Sequence, residues 1–254
     1  MIENATTTLR LVATSNSSAS STDASSTGAE SDTAESTSEP MLECRGKLYP
    51  ASQVLETDVF PLELNGPAEL ATLEGIRCVS GAIDIRNVTD LAPARFLERV
   101  YRLGIVDNPG LRHVDDLRAL RSVGSIRVDN NPDLENLDGL EGLEVAEAIS
   151  IGFADFSIDV GTRAHGNDAL RRLPAFANLA APVLDLAVGD NEVLVDLGSP
   201  PTVVVRNLWI MNNESLPFSS ARSWADEVQP LDFELVCGNL DDPTPLCEPP
   251  LIPD

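Results

Sequence analysis

Leu103-Gly104-Ile105-Val106-Asp107-Asn108-Pro109-Gly110-Leu111 comes back, with changes, as Ile126-Arg127-Val128-Asp129-Asn130-Asn131-Pro132-Asp133-Leu134. Both stretches carry two apolar residues separated by one, an asparagine three positions on, and a leucine three further. Weaker copies are Leu186-Ala187-Val188 with Asn191 and Leu194, and Leu208-Trp209-Ile210 with Asn213 and Leu216. Two more lack the asparagine: Ile83-Asp84-Ile85 with Val88 and Leu91, and Ile149-Ser150-Ile151 with Ala154. Marked by the second strand residue, the copies fall at 85, 105, 128, 151, 188 and 210. A step of about 22 residues is a solenoid period rather than a helical-hairpin period. The one long step, 151 to 188, predicts about 14 extra residues near Ser157–Leu170, protruding as a loop.

Each position has a physical role. Alternation within Ile-x-Val turns two side chains inward and one outward. Stacked copies then pair into a parallel sheet. Asn108, Asn131, Asn191 and Asn213 sit where the chain turns, and stacked asparagines there can form a hydrogen-bonded ladder. Leu117, Leu120 and Val123, like Leu140 and Leu143, recur every third residue, which suits short turns better than long helices. The expected architecture is mainly β: a right-handed parallel β-helix or leucine-rich-repeat-like solenoid of about six coils with short terminal caps.

Composition bounds the function. The chain has 254 residues, 41 acids against 17 bases, and a net charge of −24. That excludes the simplest nucleic-acid partner, which needs a basic footprint, and disfavours anionic membrane surfaces. There is no apolar run long enough to form a transmembrane segment. At 43% hydrophobic but 4% aromatic, the core must be mostly aliphatic. Lys47 is the sole lysine, as a GC-rich coding bias would produce.

Residues 1–43 hold seven acids and Arg10, so they carry −6, and the remainder carries −18. From Thr14 to Glu39 the chain has no aromatic or branched aliphatic residue, which predicts a disordered Ser/Thr-rich acidic tether over 1–43. The folded part is expected over 44–247, with a tail at 248–254. Leu9–Ala13 is too short for an apolar signal core and contains Arg10, so an export signal is expected to be missing or truncated in this chain. Met41-Leu42-Glu43-Cys44 is rejected as a lipidation site because Glu43 precedes the cysteine.

Cys44, Cys78, Cys237 and Cys247 lie at the two ends of the folded part. Disulfides are expected, with three pairings open. Zinc is rejected for want of close Cys pairs and of ligand spacing at His113 and His165. Asp129–Asp133 mimics the start of a calcium loop, but Leu134 and Leu140 occupy the positions that need Gly and Glu. No metal or cofactor is expected.

The stretch Cys78-Val79-Ser80-Gly81-Ala82-Ile83-Asp84-Ile85 resembles the opening strand of receptor L domains, the leucine-rich-repeat-like β-helices of insulin and EGF receptor ectodomains. Asn131–Leu140 is similar to the corresponding run of their bacterial relatives. So is the end, a helix-like Ser219–Val228 followed by Val236-Cys237-Gly238-Asn239 and Cys247. The resemblance covers roughly Cys44 to Cys247; Val88, Ala154 and the insertion depart from it. It implies a Cys44–Cys78 disulfide, binding rather than catalysis in the animal members, and an exported, surface-associated protein in the bacterial ones.

No nucleophile elbow, phosphate loop or paired-His motif occurs. Asp84, Arg86, Arg127, Asp129 and Asp185 form the one conceivable catalytic group, of the kind some polysaccharide-acting β-helix enzymes carry; a solvated strand face is preferred. The expectation is a non-enzymatic, monomeric, extracellular or cell-surface module. Its partner, a protein or glycan, would bind through Arg86, Arg127, Asp129, Asp185, Trp209 and Met211 on the outward sheet face. Trp209 has two possible settings, exposed or covered by the final helix near Trp224. A structural envelope spacer is the alternative.

Overall fold

A computed structural model describes residues 39–152, 166–243 and 247. Strands dominate it. A hairpin of β1 (Met41–Cys44) and β2 (Lys47–Pro50) turns through Arg45 and Gly46, both at positive φ. Then follow β3 (Val54–Leu55), β4 (Leu62–Asn65), a short α1 (Pro67–Leu70), β5 (Cys78–Arg86), β6 (Arg99–Val106), β7 (Ser122–Asp129), β8 (Val145–Ile151), β9 (Val183–Gly189), β10 (Val205–Met211), α2 (Phe218–Val228) and β11 (Phe233–Cys237). Nine of these strands form one sheet in the order β11-β10-β9-β8-β7-β6-β5-β3, with β4 also on β5. Every pairing in that sheet is parallel.

The repeat becomes register. Ile83, Leu103, Ile126, Ile149, Leu186 and Leu208 lie side by side, as do Ile85, Ile105, Val128, Ile151, Val188 and Ile210. All are buried in one core. Each such side chain contributes roughly 1.5–3 kcal/mol relative to exposure, so these two rows dominate the stability of the unit. The third-residue leucines close the core from the return path. Leu117 and Leu140 sit in 3₁₀ turns, Asp115–Ala119 and Asp138–Leu140, as their spacing predicts. Ala221, Trp224, Ala225 and Val228 of α2 join the same core, so this helix packs on the inner side.

A buried asparagine ladder runs along the turn that follows the strands. Asn108, Asn131, Asn167, Asn191 and Asn213 are fully buried and Asn239 nearly so. The Oδ1 of each accepts from the copy before it. Asn131 Oδ1 accepts from Asn108 N at 3.2 Å and Asn108 Nδ2 at 2.9 Å, and Asn167 Oδ1 accepts likewise from Asn131. The second Nδ2 hydrogen goes to the preceding strand, as from Asn131 to Ile105 O at 2.9 Å. Only a neutral amide offers two donors and a two-lone-pair acceptor at once; aspartate cannot donate, and an apolar residue would strand buried backbone groups. The ladder starts at Val88, whose N–H donates to Asn108 Oδ1.

Asn167 corrects the sequence reading. The copy at Ile149–Ile151 does have its asparagine, followed by Leu170 at the usual spacing, but the inserted residues separate it from its strand. The extra length therefore ends before Gly166 rather than at Leu170. Gly152 leaves the strand at φ +82°, where a Cβ would meet Gly189 O, so the departure point must be glycine. The expected boundary at residue 43 also shifts, since Met41–Glu43 are strand. Ala154, His165, the rest of the expected tether and the 248–254 tail lie outside the described residues.

Cys44–Cys78 and Cys237–Cys247 are both disulfide-bonded. Oxidised pairs fit an oxidising compartment. No helix among the described residues is long and apolar enough to cross a membrane.

Candidate functional site: the outer sheet face

Parallel sheets are ordinarily covered by helices on both faces. Here α2 lies on the inner side and no described helix covers the outer one. One outward row reads Glu63, Asp84, Gly104, Arg127, Ser150, Ala187, Trp209, Leu235 from β4 to β11. A second reads Ala82, Arg102, Ser125, Ala148, Asp185, Asn207, Phe233.

Four of the six expected contact residues reach this surface, half-buried: Arg86, Arg127, Asp185 and Trp209. Arg86 pairs with Asp84 at 3.3 Å and with Asp107. Asp84 lies over β6 because Gly104 has no Cβ to block it. Asp185 Oδ1 accepts from Asn207 Nδ2 at 2.8 Å. Trp209 is covered on one side by Phe233 of β11, with ring centroids 5.3 Å apart, rather than by α2. Trp224 donates instead to Gly198 O and is buried.

Asp129 and Met211 are corrections. They are 4% and 7% exposed and are not available to a partner. Asp129 pairs laterally with Val106, and Met211 lies between Gly189 and Cys237. Strand parity gives the direction of a side chain but not what flanks it. The conceivable catalytic group is also spread out: Asp185 on β9 lies two strands from Arg127 on β7, and Asp129 is buried.

The residues that sequence reasoning missed form a shallow, open depression of about 340 Å³. It is lined by Tyr101, Arg102, Gly124, Ser125, Glu147, Ala148 and Leu184. The Tyr101 ring packs over Gly124, where a Cβ would come within 3.2 Å of it. Arg45, carried there by the β1–β2 turn, sits 5.2 Å from the centre of the same ring. Arg99 donates to Arg45 O at 3.0 Å. The signal for this site was two outward residues in succession: between inward Val123 and Ile126 lie both Gly124 and Ser125, which strict alternation does not allow.

Below the hairpin, Glu98 accepts from Lys47 Nζ at 2.7 Å, Tyr49 Oη at 3.0 Å and Arg77 Nε at 2.8 Å. Burial alone would push its carboxyl up, but these bonds from Lys47, Arg77 and Tyr49 outweigh it and hold the group at about 2. At the turns a second, outer ladder of positive-φ residues includes Asn130, which donates to Asp107 at 2.6 Å, and Asn212, which donates to Asp190 at 3.2 Å. Burial raises the Asp190 carboxyl above its usual range, opposed only by the Asn212 bond. No group of three or more potential metal ligands occurs among the described residues. His113 is exposed, its Nδ1 beside Asn136.

No family model, curated protein or solved structure matches this chain.

Proposed function

We propose that the chain is a secreted or surface-tethered, receptor-L-domain-like solenoid that binds a protein or glycan partner on its outer sheet face. The outer face of the parallel sheet, which no described helix covers, carries this reading. A face of this kind exposes backbone-rigid rows of Arg, Tyr and Trp, residue types that dominate interface energies. The two disulfides and the satisfied asparagine ladder support it by holding those rows in fixed register. They equally support the second reading, a rigid envelope spacer that binds nothing on this face.

Trp209→Ala separates the two. Retention of the purified protein on isolated cell-envelope material should fall roughly tenfold if the face is the contact, with the melting temperature little changed. Unchanged retention of this variant, and of one altered at Tyr101, argues for the spacer.

A further inference from the structure

Acids outnumber bases 41 to 17, so most arginines should find carboxylates. Nine described bases do so, including Arg77, Arg86, Arg112 and Arg206. Six described arginines do not: Arg45, Arg95, Arg99, Arg102, Arg127 and Arg171 have no carboxylate within 4.0 Å among the described residues. Four of the six, Arg45, Arg99, Arg102 and Arg127, lie on the β1–β2 turn, β6 and β7, around Tyr101.

Their neighbours are small. Arg99 lies between Cys78 and Ser122, Arg102 between Ala82 and Ser125, and Arg127 between Gly104 and Ser150. The Arg102 and Arg127 guanidinium groups therefore have lateral room for a planar, two-bonded contact with a carboxylate, whereas Arg99 is already bonded to Arg45 O. Half-buried Ser125 and Ser150 stand beside Arg102 and Arg127 on adjoining strands, whose backbones lie about 4.8 Å apart; Ser122, beside Arg99, is buried. Glu147 is the carboxylate that lines the depression, from β8, two strands from Arg102.

We infer that this patch binds a carboxylate-bearing polysaccharide, a uronate glycan. The inference rests on the sheet-face reading and names its ligand class. Arginines alternating with serines match a chain that alternates carboxylates and hydroxyls. A protein partner would need apolar anchor pockets, and this shallow depression is lined by Arg102, Ser125 and Glu147 as much as by Tyr101, Ala148 and Leu184. Strand addition is unavailable because β6 and β7 are paired on both sides. A polyanion as dense as duplex DNA would be repelled by the surrounding −18, whereas one charge per sugar permits close approach.

Calorimetric titration of the whole chain at low ionic strength tests this, using a short oligogalacturonate. Its fully methyl-esterified form, hexaglutamate and a heparin oligosaccharide serve as comparisons. The oligogalacturonate should bind and its ester should not. Arg102→Gln and Arg127→Gln should each weaken binding roughly tenfold, the loss of one charge-assisted contact, while thermal melting stays unchanged. Glu147→Gln should strengthen it. No binding of oligogalacturonate, affinity indifferent to both arginine substitutions, or tighter binding of hexaglutamate or heparin would each overturn the inference. If oligogalacturonate fails while Trp209→Ala still abolishes envelope retention, the sheet-face reading survives and only its ligand class falls.

Discussion

The turn that carries Asn108, Asn131, Asn167, Asn191, Asn213 and Asn239 and the row that carries Asp84, Gly104, Arg127, Ser150, Ala187 and Trp209 run in parallel along the same strands. The first uses one residue type six times. The second uses six types once each. In the buried turn, one set of donors and acceptors must be met at every step, and only the amide meets it. On the outer face water reaches the half-buried Asp84, Arg127, Ser150 and Trp209, so the fold imposes no single residue type there, although Gly104 and Ala187 are buried. Uniformity marks where packing decides, and variety marks where a partner is free to.

The sharpest way to break this contrast is to substitute both rows at the same level. Asn131→Ala takes the Asn131 side-chain partner from the Asn108 backbone N–H and from Ile105 O, while Asn108 Nδ2 keeps Ile85 O and Val106 O, and should cost about 3 kcal/mol or more. Arg127→Gln, two strand positions before Asp129, should change stability by less than about 0.5 kcal/mol. Urea midpoints of the two variants measure the difference; equal midpoints would erase the distinction between the rows.

Glu98 extends the contrast to a charge with a structural role. Its carboxyl is held at about 2, below the ordinary 4.5. The stabilisation it supplies is fully present above pH 4.5 and is lost as pH falls from there toward 2. Melting temperature against pH should therefore drop across that window in the wild type, and drop less in Glu98→Gln. A parallel decline in both would show that Lys47, Arg77 and Tyr49 contribute nothing through it.

The smallest effect is expected at Asp190. Burial raises its carboxyl, so the ionised form is disfavoured in the folded state and stability declines as pH rises through the folded pKa. Asp190→Asn, the residue type already used at Asn130 and Asn212, should raise the melting temperature slightly at pH 7 and keep the bond from Asn212. A lowered melting temperature would mean that the charge is needed there.

Much of this was legible in the residues. The Ile-x-Val pairs place every inward position correctly because a period of two is intrinsic to an extended chain. Leu117 and Leu140 forecast their 3₁₀ turns because a three-residue spacing matches three residues per turn. Asn167 was missed because its strand lies across the insertion, although Leu170 three positions later was the available signal. Asp129 and Met211 were placed on the face by parity alone. Tyr101, Arg102 and Ser125 were missed because the local break in alternation brings them outward together.

The sequence by itself determined the strand rows, the asparagine turn and the aliphatic core, because those depend on periodicities built into one chain. Only the tertiary structure decided which outward residues stay accessible, that Asn167 completes the ladder, and that four of the six described arginines without a carboxylate share one patch. Those facts depend on what lies alongside in the next strand, and lateral register across about twenty residues of intervening chain is set by packing rather than by local pattern.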